Sequence, residues 1–172
     1  MRPDGRDPDQ IRPVTIEPDF IRYAEGSVLW RAGDTVVLCN VSYDAKTAPF
    51  LRGSGEGWVT AEYAMLPRST DTRSDRRPSG RSKEIQRLVG RSLRAAVQRD
   101  LMGECSLIVD CDVLQADGST RTASVSGGWV ALTLALARLQ EQGVLSQWPL
   151  VNQVAAVAVG MLDSEARADL DY

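Results

Sequence analysis

Apolar and polar positions change period several times along this chain, and each change marks a predicted element. Residues 14–17 form a short strand-like run. Residues 27–31 and 35–41 follow, and the Gly33-Asp34 pair between them predicts a β-hairpin. Val36, Val37, Leu38 and Val41 are mostly β-branched, and Cys39 among them reads as a buried thiol. Residues 43–57, with Pro49 and three glycines, read as loop, and 58–66 (WVTAEYAML) as a strand. Residues 67–79 hold Pro, Ser, Thr, Asp and recurrent Arg without apolar positions, which is loop composition.

The period then becomes helical. Over 82–102, Ile85, Leu88, Val89, Leu93, Ala96, Val97 and Leu101 mark one stripe, with Gly103 as the expected stop. Arg87, Arg91 and Arg94 share another face, where Glu84 is expected to pair with Arg87 or Arg91. Residues 106–115 (SLIVDCDVLQ) alternate as a strand. Leu107, Val109, Cys111 and Val113 share one face; Ile108, Asp110, Asp112 and Leu114 share the other. A second helix is predicted over 120–142, with Val125, Trp129, Leu132, Leu136 and Leu139 recurring and Gly143 as its stop. Gly127-Gly128 within it would let the helix approach a sheet closely, at about 1 kcal/mol of propensity each. A small-residue run at 154–161 (VAAVAVGM) reads as a buried strand, with 168–172 beginning its hairpin partner. Strands, helix, strand, helix, strands describe an α/β or α+β arrangement of helices on a sheet, in one domain over 1–172.

Composition narrows the chemistry. The 172 residues contain no histidine, which removes Ser-His and Cys-His nucleophiles and histidine metal clusters from this chain. Three irregularly spaced cysteines do not make a disulfide framework. No apolar run reaches the ~18–20 residues of a membrane span, and the charged opening MRPDGRDPDQIRP does not resemble a signal peptide. A reduced, cytoplasmic protein is expected. The net charge of −3 hides a division: residues 66–94 carry nine Lys/Arg against three Asp/Glu, inside an otherwise acidic chain. Such a belt is either a surface for a polyanion or a solvated helix face, and charge alone does not separate the two.

Two junctions carry candidate chemistry. In ADGSTRTA, Gly118, Ser119, Thr120 and Arg121 stand where strand becomes helix. A helix opening presents unpaired N–H groups at the positive end of its dipole. Gly118 allows close approach, the hydroxyls add donors, and a guanidinium matches a pair of phosphoryl oxygens. The competing reading is that Ser119 or Thr120 caps the helix; a cap has no need of Arg121, which favours the anion site. Gly80-Arg81-Ser82-Lys83-Glu84 repeats the grammar at the first helix, with Ser82 as expected cap, so both openings are predicted to meet around one phosphate. The Asp110/Asp112 pair invites a metal, but a polar sheet face or salt bridges to a helix is the preferred account.

The words RPDGR, IRPVTIE, EGSVL, GWVTAEYAMLPRST, GRSKEIQRLVGRSLRAAV, VDCDVLQADGSTRTASVSGGWVAL and VAAVAVG, in this order over practically the whole chain, resemble the ribonuclease PH family. The resemblance implies the N-terminal part of that family's α+β fold (ribosomal protein S5 domain 2-like). It implies a phosphate-dependent 3′→5′ exoribonuclease that trims transfer-RNA precursors and other RNA 3′ ends and releases nucleoside diphosphates. By matching words, Arg81, Ser119, Thr120 and Arg121 would hold inorganic phosphate, and Arg68, Arg73 and Arg76 would grip RNA. Ser119 stands where relatives commonly have glycine. Mg²⁺ is implied, but the family's paired aspartates follow a segment matching the end of this chain, so catalytic and metal ligands are expected beyond Tyr172. A hexamer, a trimer of dimers, is the implied assembly. The alternative expectation is a shortened, catalytically silent homologue that binds RNA or joins a ring.

Overall fold

The computed structural model describes residue 2 and residues 4–171. Five strands form the main sheet: β1 (Val14–Pro18), β2 (Gly26–Ala32), β3 (Thr35–Asp44), β4 (Trp58–Met65) and β5 (Ser106–Gln115). Their order is β1-β2-β3-β5-β4. All neighbours are antiparallel except β4 and β5, which run parallel. Parallel neighbours need a crossover rather than a tight turn, and helix α1 (Gly80–Arg94) supplies it. Helix α2 (Thr120–Glu141) follows β5 and packs beside α1, on β2, β3 and β5. The predicted hairpin is β2–β3, with Val28 opposite Cys39.

The strand alternation reads directly as burial. Leu107, Val109, Cys111 and Val113 meet the helices and are at most 1% exposed, while Ile108, Asp110, Asp112 and Leu114 face the opposite side, half-buried. The double glycine does what its position predicts. A Cβ on Gly127 would stand 3.0 Å from Cys39 Sγ, and one on Gly128 would stand 3.3 Å from Leu93 Cδ1. These small residues let α2 lie against the sheet and α1 at backbone distance. Although α2 has the length and hydropathy of a membrane span, 61% of that stretch is buried in the protein, as a core helix requires.

Three boundaries differ from expectation. Helix α1 ends at Arg94, not near residue 102. Ala96 and Val97 remain buried, but Val97 forms a bridge to Leu150, and a short 3₁₀ turn (Arg99–Leu101) follows. The apolar stripe outlasts the helix because tertiary burial continues after the helical hydrogen bonds stop. Residues 154–158 are not in a strand; the hairpin is β6 (Val159–Leu162) with β7 (Glu165–Ala168). It is exposed, with Val159 at 67% and Met161 at 66%, so the expectation of a buried strand is corrected. Its partner strand ends where it was expected to begin, and Tyr172 lies outside the described residues.

Candidate functional site

The turn into α2 has a backbone shape that few residues adopt. Gly118 and Ser119 follow one another in the left-handed region, at φ +72° and +57°. Gly118 is required twice: its φ favours glycine, and a Cβ would stand 2.3 Å from the Leu170 carbonyl oxygen. Ser119 occupies the N-cap position but makes no capping bond; its hydroxyl donates to Leu170 O at 3.3 Å. The Thr120 hydroxyl is 2.9 Å from Tyr63 Oη, inside the core, and Thr122 Oγ1 donates to Ser119 O at 2.9 Å. The hydroxyls expected to face an anion are therefore engaged within the fold. What these residues offer outward is the uncapped, positively poled main-chain end of α2.

The opening of α1 is different. Ser79, three residues before the expected Ser82, is the cap, and it accepts from the Ser82 N–H at 3.1 Å. The expected cap Ser82 is thus corrected to Ser79, and of the two helix openings that of α2 is the one without a side-chain cap. Arg81 and Arg121 line one pocket of about 130 Å³ with Gly118, Ser119, Thr120, Thr122 and Ala158. That is space for roughly four waters at ~30 Å³ each, and no acidic residue lines it. Arg81 has no ion-pair partner among the described residues, whereas Arg121 Nη2 lies 3.2 Å from Glu84 Oε2. Glu84 therefore pairs across the two helices, not along its own with Arg87 or Arg91. The short gap between adjacent helix openings brings Arg121 within its reach.

Arg68, Arg73 and Arg76 are exposed on the segment linking β4 to α1, which is drawn closed by Ser74 N–H donating to Pro67 O at 2.8 Å. Arg76 borders a second pocket of about 210 Å³ with Tyr63, Met65, Arg77, Ser79 and Ser82. Arg68 and Arg73 line neither pocket. The segment enters α1 directly, one residue before Arg81. Asp110 and Asp112 lie on the helix-free face, with Glu62 beside Asp110 in the parallel register. Burial, then the charges of Glu62 and Asp112, pushes the Asp110 carboxyl up; burial does the same to Asp112. Among the described residues no three such side chains converge to hold a metal ion. The polar-face account of the pair fits this placement.

One group escaped sequence reasoning. Arg2, Arg6 and Arg12 are buried and bind the far end of the chain. Arg2 donates to Ala168 O and, at 3.2 Å, to Asp169 O. Arg6 reaches Asp169 at 3.1 Å and Asp171 at 2.8 Å, and Arg12 grips Asp169 through both carboxylate oxygens. Burial alone would raise the Asp169 carboxyl. Hydrogen bonds from the Arg12 side chain and backbone, with the Arg12 charge, outweigh it and hold the group far below the usual carboxylate range. The only sequence signal was the recurrence of Arg in the first twelve residues, where Asp4, Asp7 and Asp9 suggest local partners; Asp4 does pair with Arg6, but nothing local points to Asp169.

Comparison with known proteins agrees with this arrangement. Residues 10–137 match the family described as "3′ exoribonuclease family, domain 1". The chain is 53% identical over 177 aligned positions to ribonuclease PH of Cereibacter sphaeroides, covering all of this chain and 75% of that protein. Its fold superposes on an Archaeoglobus fulgidus exosome solved with RNA bound to the active site, with TM-score 0.84 and 25% identity, over 99% of this chain and 70% of that one. It also superposes on rice (Oryza sativa) Rrp46, with TM-score 0.80 and 23% identity, over 99% and 73%.

Proposed function

The chain belongs to the ribonuclease PH type of 3′ exoribonuclease, and we propose that its phosphate reactant sits between Arg81, Arg121 and the open end of α2. By family it is a phosphorolytic 3′ exoribonuclease, an enzyme of the nucleotidyltransferase type. The reaction joins two anions. An oxygen of inorganic phosphate attacks the phosphorus of the terminal phosphodiester, and the bond to the penultimate 3′ oxygen breaks. The terminal nucleotide leaves as its 5′-diphosphate, and the shortened RNA keeps a 3′ hydroxyl.

Two guanidiniums offset the repulsion, and the helix end supplies N–H donors that need no reorganisation as charge develops. Holding the attacking phosphate against the scissile phosphorus converts an encounter between anions into an oriented displacement. Arg68, Arg73 and Arg76 would hold the RNA backbone. Phosphate contacts carry little base information, which suits an enzyme that trims many 3′ ends. Transfer-RNA precursors are the proposed substrate class, the cytoplasm the proposed location, and a hexamer the proposed assembly. Support for RNA and for assembly comes from the exosome neighbour, which holds RNA at its active site. Magnesium would stabilise charge at the reacting phosphorus, but the described carboxylates form no cradle for it.

The observation that carries the reading is the shared pocket of Arg81 and Arg121 at a helix end left uncapped. The test is incubation of the chain with a transfer-RNA precursor, Mg²⁺ and phosphate. Nucleoside diphosphate release that follows phosphate concentration would support the exoribonuclease reading. Retained phosphate binding with no release would instead favour the silent-homologue reading.

A further inference from the structure

Three segments far apart in sequence meet behind the phosphate pocket, and one buried side chain touches all of them. Arg12 follows the first turns of the chain, and its side chain is 6% exposed. Its Nε and Nη2 donate to the two carboxylate oxygens of Asp169, at 2.9 and 2.8 Å. Its backbone N–H donates to the same carboxylate at 2.8 Å. Its remaining nitrogen, Nη1, donates to the Asp117 carbonyl at 2.6 Å and to that residue's carboxylate at 3.2 Å. Asp117 begins the turn that opens α2.

The turn is held from a second direction. Thr35, at the start of β3, donates its hydroxyl to Gly118 O at 2.7 Å and accepts from the Asp117 N–H at 3.0 Å. Behind Gly118, the Leu170 carbonyl leaves no room for a Cβ. Two consecutive left-handed residues are costly, the non-glycine one most, and persist only where their surroundings over-determine them. Here the surroundings are Arg12, Thr35 and the segment that Asp169 anchors. None of them lines the pocket shared by Arg81 and Arg121.

We propose that Arg12 is a positioning residue for the phosphate reactant: bridging Asp169 to Asp117, it fixes the turn from which the α2 N–H groups and Arg121 meet the anion. The inference rests on the phosphate reading of that pocket. A guanidinium is needed because one planar fork must serve a carboxylate with two donors and a carbonyl with a third. A lysine ammonium is a point charge on a flexible stem and cannot span both. Arg12→Lys therefore keeps the charge and removes the bridge. Thr35→Val removes the second hold with little change of shape, and decides the matter should the arginine variant fail to fold.

The experiment measures inorganic phosphate affinity by calorimetry and RNA affinity by fluorescence anisotropy for both variants, with Arg121→Ala alongside and folding checked by circular dichroism. The expected result is folded variants whose phosphate dissociation constant rises roughly tenfold or more, the scale of losing one hydrogen bond to a charged group, while RNA affinity is unchanged. Wild-type phosphate affinity in folded Arg12→Lys and Thr35→Val, with Arg121→Ala weakened, would overturn the positioning role and leave the pocket assignment standing. Wild-type affinity in all three would overturn the assignment and the inference together.

Discussion

Glu84→Gln is expected to tighten phosphate binding, although it removes the only ion pair that Arg121 makes among the described residues. In the structure Glu84 Oε2 occupies Arg121 Nη2 at 3.2 Å, so an incoming phosphate must share or displace that contact. The side chains are 51% and 41% exposed, which makes this a solvent-screened pair. Such pairs contribute about 0.2–1 kcal/mol, and this much is recovered when the competitor is gone. A second contribution is direct repulsion. With roughly 6 Å between the carboxylate and an anion across the guanidinium, Coulomb's law in water gives about 0.7 kcal/mol per unit charge, and salt reduces it. Together these predict a gain of ~0.5–1.5 kcal/mol, or about two- to twelvefold in affinity. Titration calorimetry at low and high KCl reads it directly. The gain should shrink as salt rises, and in an Arg121→Ala background the part due to competition should be lost, leaving only the salt-sensitive repulsion. Weaker or unchanged binding in Glu84→Gln would show that Glu84 orients Arg121 rather than competing for it, and would refute the reasoning.

Gly118→Ala should destabilise the fold by at least ~1–2 kcal/mol from its left-handed φ alone, with more from the encounter with Leu170 O; an unchanged urea midpoint would contradict the tight turn. Neutralising Arg68, Arg73 and Arg76 together should weaken RNA binding and lower the salt slope by about 2, at ~0.7 per single-strand phosphate contact; an unaltered slope in anisotropy titrations would remove these residues from the RNA surface. Asp110→Asn should raise stability at neutral pH by ~0.2–1 kcal/mol, the size of a cross-strand charge pair. The sign follows from the raised Asp110 carboxyl: its ionised form penalises the folded state above the raised pKa, and the penalty fades as pH falls through it. The gain should therefore shrink as the solution is acidified, and a melt showing no gain at pH 7 would reject the repulsion.

Much of the scaffold was legible because burial and period coincide. The strand over residues 106–115 was readable to its ends, since each alternate side chain is either core or outer face. The end of α1 was not, because Ala96 and Val97 stay buried after the helix stops, and an apolar stripe reports burial rather than hydrogen bonding. Residues 154–158 were misread for a related reason: a short apolar run fits a buried strand or an irregular surface segment equally well. In the site, the pairing of Arg81 with Arg121 was legible from two helix openings of like composition. The direction of the Ser119 and Thr120 hydroxyls was not, because it depends on Leu170 and Tyr63, which no local pattern connects to them. The Arg12–Asp169 contact crosses 157 positions and has no period at all.

The most direct measurement is the affinity of inorganic phosphate for the unaltered chain, Arg81→Ala, Arg121→Ala and the double variant. One site is predicted. Each single change should cost ~1.5–3 kcal/mol, as for a charged hydrogen bond, and the double variant should depart from additivity because both side chains hold the same ion. Unaltered affinity in either single variant, or two losses that simply add as for distant sites, would contradict a single anion held between the two helices.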